Sequence, residues 1–182
     1  MRFKKIITFL IIILIIYFGA IFIMKKYFFP IKHESYVEKY SEEYNLDKYL
    51  VYSVIKVESN FNGKAESNKG AKGLMQIMDF TGEWGAREIG VNYFLPSMLF
   101  DEELNIRIGT WYLNNLMQEF DNDVDLVLAA YNGGSGNVNK WLSDEEYSED
   151  GKTLTIIPFN ETKKYVDKVN IINKIYKYLY EK

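Results

Sequence analysis

From Ile6 to Met24 the chain runs nineteen residues without a charged side chain. As a helix rising about 1.5 Å per residue it would reach about 28 Å, close to the hydrocarbon thickness of a bilayer. Arg2, Lys4 and Lys5 precede the run, and Lys25 and Lys26 follow it. A cleaved leader would have a shorter apolar centre followed by small residues at the cut. Here Ile21-Phe22-Ile23-Met24 passes straight into Lys25-Lys26, and the chain has no cysteine to carry a lipid. The expected organisation is a short cytoplasmic tail over 1–5, an uncleaved transmembrane anchor over 6–24, a linker over 25–34 and one folded domain over 35–182.

Charge sets the expected orientation. Residues 1–32 hold six of the 22 bases and none of the 25 acids. The remaining chain therefore carries 16 bases against 25 acids, a formal charge of −9. Three bases and the free amine on the short tail, against an acidic domain, favour the N-terminus inside. That makes a single-pass cell-membrane protein with its domain extracytoplasmic. An acidic domain is also a poor partner for nucleic acid.

The residue inventory excludes much chemistry. There is no Cys and one His, His33, expected as a solvated linker residue. No thiol nucleophile, disulfide framework, Cys/His zinc site or Ser-His-Asp triad can be assembled from such a set. Acid/base work falls to carboxylates, Tyr or Lys.

Beyond Pro30, helical spacing dominates and the fold class is mainly α. Asp47 is placed to cap a helix bearing Leu50, Val51, Val54, Ile55 and Glu58, ended by Asn60 to Gly63. Asp101 to Phe120 and Asp123 to Tyr131 follow the same pattern, the latter closed by Asn132-Gly133-Gly134. Thr162 to Tyr180 carries an apolar stripe at Tyr165, Val169, Ile172, Tyr176 and Leu179. Thr153 to Ile157 alternates enough for a brief extended piece, at most a small β-hairpin. Of Trp84, Trp111 and Trp141, at least two are expected in the core.

Glu58 stands one turn beyond Val54 and Ile55, on the side of its helix that must be buried. A carboxylate there needs a partner or a proton. Its context is a series of blocks. Glu58-Ser59-Xaa-Phe61 leads to Ser67, then to Gly70-Ala71-Xaa-Gly73-Leu74-Met75-Gln76-Ile77-Met78. Asn105-Ile106-Xaa-Xaa-Gly109-Thr110-Xaa-Tyr112-Leu113 and Ala129-Ala130-Tyr131-Asn132-Xaa-Gly134 follow. Ile157-Pro158-Phe159-Xaa-Glu161-Thr162-Xaa-Xaa-Tyr165-Val166 is last. In this order and spacing the blocks, over about residues 35–180, resemble the SLT-domain lytic transglycosylases, which have a goose-type lysozyme-like fold.

The resemblance implies roles residue by residue. Glu58 matches the family's catalytic acid/base, and Tyr131 matches a tyrosine facing it. Ser67, Gln76, Met78, Asn132 and Glu161 match positions along the saccharide groove, whereas Met75 reads as core. Two departures, Asp79 for a common Pro and Gly133 for a common Ala, are expected in turns. The implied partner is the peptidoglycan glycan strand, cut between N-acetylmuramic acid and N-acetylglucosamine with a 1,6-anhydro end left on the muramoyl residue. No metal or organic cofactor is implied. Two other readings stand beside this one. A hydrolytic muramidase would need a second carboxylate, with Asp79, Asp101 or Glu161 as candidates. A non-catalytic wall-binding module would keep the fold alone.

Overall fold

Three aspartates start three of the main helices, as their sequence positions predict. In the computed structural model, which describes residues 2–181, Asp47 accepts from the Tyr49 N–H and opens α3, Lys48–Glu58. Asp101 accepts from the Leu104 N–H and opens α5, Glu102–Glu119. Asp123 accepts from the Asp125 and Leu126 N–H groups and opens α6, Val124–Gly133. Each side-chain oxygen satisfies a donor that the first helical turn cannot. The last helix, α8, runs Asn160–Tyr180 behind Pro158, with Glu161 in its first turn.

The remaining elements are α1, Arg2–Ile23, and α2, Glu34–Glu43, then α4, Asp79–Glu88, and α7, Ser135–Leu142. A π-turn spans Met24–Phe28 and a 3₁₀ turn spans Pro96–Phe100. α1 is long and apolar enough to cross a membrane, and nothing in its most apolar stretch is buried by the rest of the chain. The domain is built around α8, which packs on α3 and α6; α5 bridges α6, α2 and α4. Leu50, Val54 and Ile55 of α3, Val127 and Leu128 of α6, and Val169 and Tyr176 of α8 are sealed in the shared core.

Four expectations are corrected. Among the described residues there is no strand. Thr153 to Ile157 is irregular, tied by Thr155 N–H to the Tyr147 carbonyl and by Asp150 accepting from the Lys152 and Thr153 N–H groups. The isolated β-bridges, Glu66 with Lys72 and Lys72 with Ile77, lie instead in the loop after α3. His33, which directly precedes α2, is no free linker residue, since its Nδ1 lies 3.2 Å from an oxygen of Glu102 at the start of α5. Asp79 and Gly133 are not in turns: they begin α4 and end α6. Only Trp141 is in the core, while Trp84 and Trp111 are half-buried and meet edge-on with centroids 4.8 Å apart.

Candidate active site

The loop from Ser59 to Met78 forms one wall of a cleft at the end of α3. Its shape is set from below by Asn105 on α5, which is fully buried. The Asn105 side chain accepts from the Met75 N–H at 2.8 Å and donates to the Lys72 and Leu99 carbonyls at 2.9 and 2.8 Å. Gly73 passes this point with φ +77, and an added Cβ would lie 2.2 Å from the Leu99 oxygen. Gly109, one turn further along α5, leaves room for Met75, whose sulfur would be 2.3 Å from a Cβ there. The sequence block shows Asn105 but not its partners, which lie 6 to 33 residues away and become visible only through tertiary contact.

The cleft encloses about 490 Å³. Glu58, Ser67, Gln76, Met78, Tyr131, Asn132 and Glu161, the seven residues singled out from the sequence, all line it. α3 supplies Glu58, the loop supplies Ser67, Gln76 and Met78, the end of α6 supplies Tyr131 and Asn132, and α8 supplies Glu161. Met75 points into the core and is fully buried, whereas Met78 is 45 % exposed to the cleft.

Hydrogen bonds distinguish structural from available groups. Ser67 Oγ accepts from the Ala71 N–H and keeps its own proton to donate. Gln76, at φ 49, donates its amide to the Ala65 and Gly73 carbonyls, so it braces the loop from inside the cleft. Tyr131 donates to the Met75 carbonyl at 2.8 Å and thus ties α6 to the loop; its hydroxyl proton is directed there and away from Glu58. Asn132 and Glu161 are exposed.

Burial of Glu58 pushes its carboxyl up to about 7, against an ordinary value of 4.5. Desolvation of the anion is the main cause, opposed by the nearby Tyr165 hydroxyl and by the charge of Lys168. The Tyr165 hydroxyl is buried beside Glu58 and has no partner at hydrogen-bond distance. Burial, followed by the Glu58 charge, holds both Tyr131 and Tyr165 well above the ordinary phenol value, so both stay protonated. In the sequence Tyr165 reads only as part of the apolar stripe of its helix, although it stands in the last block, next to Val166. Phe159 and Thr162 also line the cleft, with Phe159 set edge-on against Trp141 at 4.9 Å.

A half-buried carboxyl that titrates near neutrality, walled by protonated hydroxyls and an exposed sulfur and ring, can give and take one proton in a partly dry cleft. Comparison with known proteins agrees with this architecture. The soluble lytic murein transglycosylase of Escherichia coli is 34 % identical over 152 residues, covering 82 % of this chain and 24 % of that protein. The membrane-bound lytic murein transglycosylase C of Edwardsiella ictaluri is 32 % identical over 178 residues, covering 80 % and 46 %. The solved 70 kDa soluble lytic transglycosylase of Escherichia coli superimposes with a TM-score of 0.75 at 31 % identity, over 84 % of this chain and 25 % of that one. The chain thus spans about a quarter of the soluble relative's length and under half of the membrane-bound one's. Residues 35–154 match the transglycosylase SLT domain, and the chain belongs to that family.

Proposed function

We propose that the protein is a peptidoglycan lytic transglycosylase in which Glu58 serves as the acid and then the base of one cycle. Protonated Glu58 donates to the glycosidic oxygen as the bond from the muramoyl C1 to that oxygen breaks. The muramoyl 6-hydroxyl then attacks C1, and its proton passes to the Glu58 carboxylate. The 1,6-anhydro ring closes, no water is consumed and Glu58 ends protonated. The single observation that carries this reading is a carboxyl at the end of α3, set into the cleft wall, whose burial holds it at about 7, a value suited to both jobs near neutral pH.

Neighbouring groups have supporting roles. Ser67 has a hydroxyl proton free for a sugar oxygen, Asn132 and Glu161 offer amide and carboxylate groups, and Met78 gives an apolar face. Tyr131 acts by holding the wall and by presenting its oxygen to developing positive charge. A hydrolase would require a second carboxylate across the scissile bond. Of the three candidates, Asp101 is occupied as the cap of α5 and Asp79 is paired with Lys72 at 2.7 Å, and neither lines the cleft. Glu161 does line it.

Mass spectrometry of muropeptides released from purified sacculi tests the reading. Products should end in anhydro-muramoyl residues, one water lighter than hydrolase products, and Glu161→Gln should still yield them. If Glu161→Gln were as inactive as Glu58→Gln while folded, and wild-type products were one water heavier, water would be the nucleophile. α1 is read as a single span with the domain outside the cytoplasm, in keeping with the flanking bases and with the apolar helix.

A further inference from the structure

The apolar helix is not joined to the domain by a free tether. Tyr180, on the last turn of α8, donates to the Phe29 carbonyl at 2.7 Å and lies 3.3 Å from the Lys25 carbonyl. Tyr176 donates to the Pro30 carbonyl at 3.2 Å, and the Phe29 ring meets the Tyr176 ring edge-on. Lys25 Nζ stands 4.5 Å from the centre of the Tyr180 ring. One contact reaches further down the anchor: the hydroxyls of Tyr17 and Tyr178 are 2.9 Å apart.

That contact fixes a depth. Tyr17 lies eight residues before Lys25, about 12 Å along the helix axis. If the bilayer ended at Tyr17, the uncharged stretch from Ile6 would span only about 16 Å of a hydrocarbon core about 30 Å thick. The helix matches a bilayer only with Tyr17 inside it, and Tyr178 must then stand at lipid level too. The surroundings suit that position. Tyr178 is 68 % exposed, Tyr27 65 % and Phe28 59 %. Aromatic rings with a polar tip favour the membrane interface. Lys25, Lys26 and Lys174 have no carboxylate within 4 Å among the described residues, so their long stems can carry the charge to lipid phosphates. Lys177 is tied to Asp47, and Glu181 follows the last turn, so charged groups flank Tyr178 on the headgroup side.

We propose that the end of α8, with the π-turn, forms a foot set through the headgroup layer of an anionic bilayer, with the Tyr178 hydroxyl reaching the hydrocarbon edge against Tyr17, holding the cleft at a fixed height above it. This rests on the reading that α1 crosses the membrane. Thirteen residues of α8 separate Tyr178 from Tyr165 beside Glu58, about 20 Å along its axis. The substrate is therefore glycan close to the membrane, within about 20 Å of the foot, and distant wall layers are out of reach.

The absence of native cysteine makes single-site labelling clean. The full chain carrying Tyr178→Cys, Lys174→Cys or Lys69→Cys, each labelled with NBD, is reconstituted into phosphatidylcholine/phosphatidylglycerol vesicles with headgroup spin-labelled lipid. Quenching should be several-fold stronger at 178 than at 69, with 174, which leaves the Tyr17–Tyr178 contact intact, in between. Energy transfer from position 69 to a headgroup dye should give one distance, broadened by Tyr176→Phe with Tyr180→Phe. Equal quenching at all three positions, in vesicles that keep the protein through an alkaline carbonate wash, would overturn the foot and leave the spanning helix standing. Release of the protein by that wash would overturn the span, and the foot with it.

Discussion

Glu58 is where burial and chemistry meet, and its ionisation should be measurable in both stability and rate. Its pKa is raised in the folded protein, so the folded state binds the proton more tightly than the unfolded chain does. Below about pH 4.5 both states hold it and nothing is lost. As pH rises from about 4.5 through 7, stability falls, by about 3 kcal/mol at 1.36 kcal/mol per pH unit. Glu58→Gln should therefore unfold at a higher temperature than wild type at pH 8 and nearly the same temperature at pH 4, by calorimetry. The same variant should lose turnover by about 10²–10⁴-fold or more, since an amide neither donates nor accepts the proton. Near-normal release of muropeptides by a folded Glu58→Gln protein would remove Glu58 from the mechanism. Tyr165→Phe addresses the buried hydroxyl facing it. Because that hydroxyl lowers the Glu58 pKa, its loss should move the alkaline limb of the kcat/KM profile to higher pH. An unmoved limb would leave Tyr165 a packing residue.

At the scale of elements, the cleft depends on how α5 holds the loop that follows α3. Asn105→Leu would leave the Met75 N–H and the Leu99 carbonyl without partners in a sealed site, while the Lys72 carbonyl would keep only the Ile77 N–H. Each unsatisfied group costs about 1–3 kcal/mol, so a loss of at least about 2–4 kcal/mol is expected in urea unfolding. A loss under about 1 kcal/mol would mean the staple is dispensable. Gly109→Ala presses a Cβ into Met75 and should cost about 1–3 kcal/mol by overpacking. Part of that loss should return when Met75→Ala is added, whereas simple additivity in the double-mutant cycle would deny the contact. The short helices belong to the same account. α2, α4 and α7 have ten, ten and eight residues, too few to be stable alone, and form because the core covers one side of each.

At the scale of the whole molecule, an acidic domain follows a basic, apolar N-terminal segment, and their junction is packed. Segment 29–31 is laid against the core, with Phe29 and Ile31 partly covered. If the flanking charges set the topology, protease added to wall-less cells should digest the domain without lysis. Protection until the membrane is broken would place the domain on the other side. The packed junction adds a second expectation: a flexible insertion after Pro30 should leave the isolated reaction unchanged but extend digestion to more distant glycan.

Local rules made part of this protein legible in its sequence. Asp47, Asp101 and Asp123 start helices through bonds to N–H groups two or three residues on, and an apolar run long enough to span a bilayer needs only counting. The seven cleft residues could be named because their blocks keep the order and spacing of a family. What those residues bond to was decided by tertiary structure. Tyr131 reaches Met75 across 56 residues, Asn105 reaches it across 30, and Tyr17 meets Tyr178 across 161. The alternation at Thr153 to Ile157 produced no strand because no second strand lies beside it to take its hydrogen bonds, and Asp150 folds its start into a turn instead. Caps and periodicities act within a turn or two of helix, so sequence carries them. The partner of a buried hydroxyl, the exposure of Trp84 and Trp111, and the depth of a tyrosine against the anchor depend on which distant surfaces meet, and packing alone fixes that.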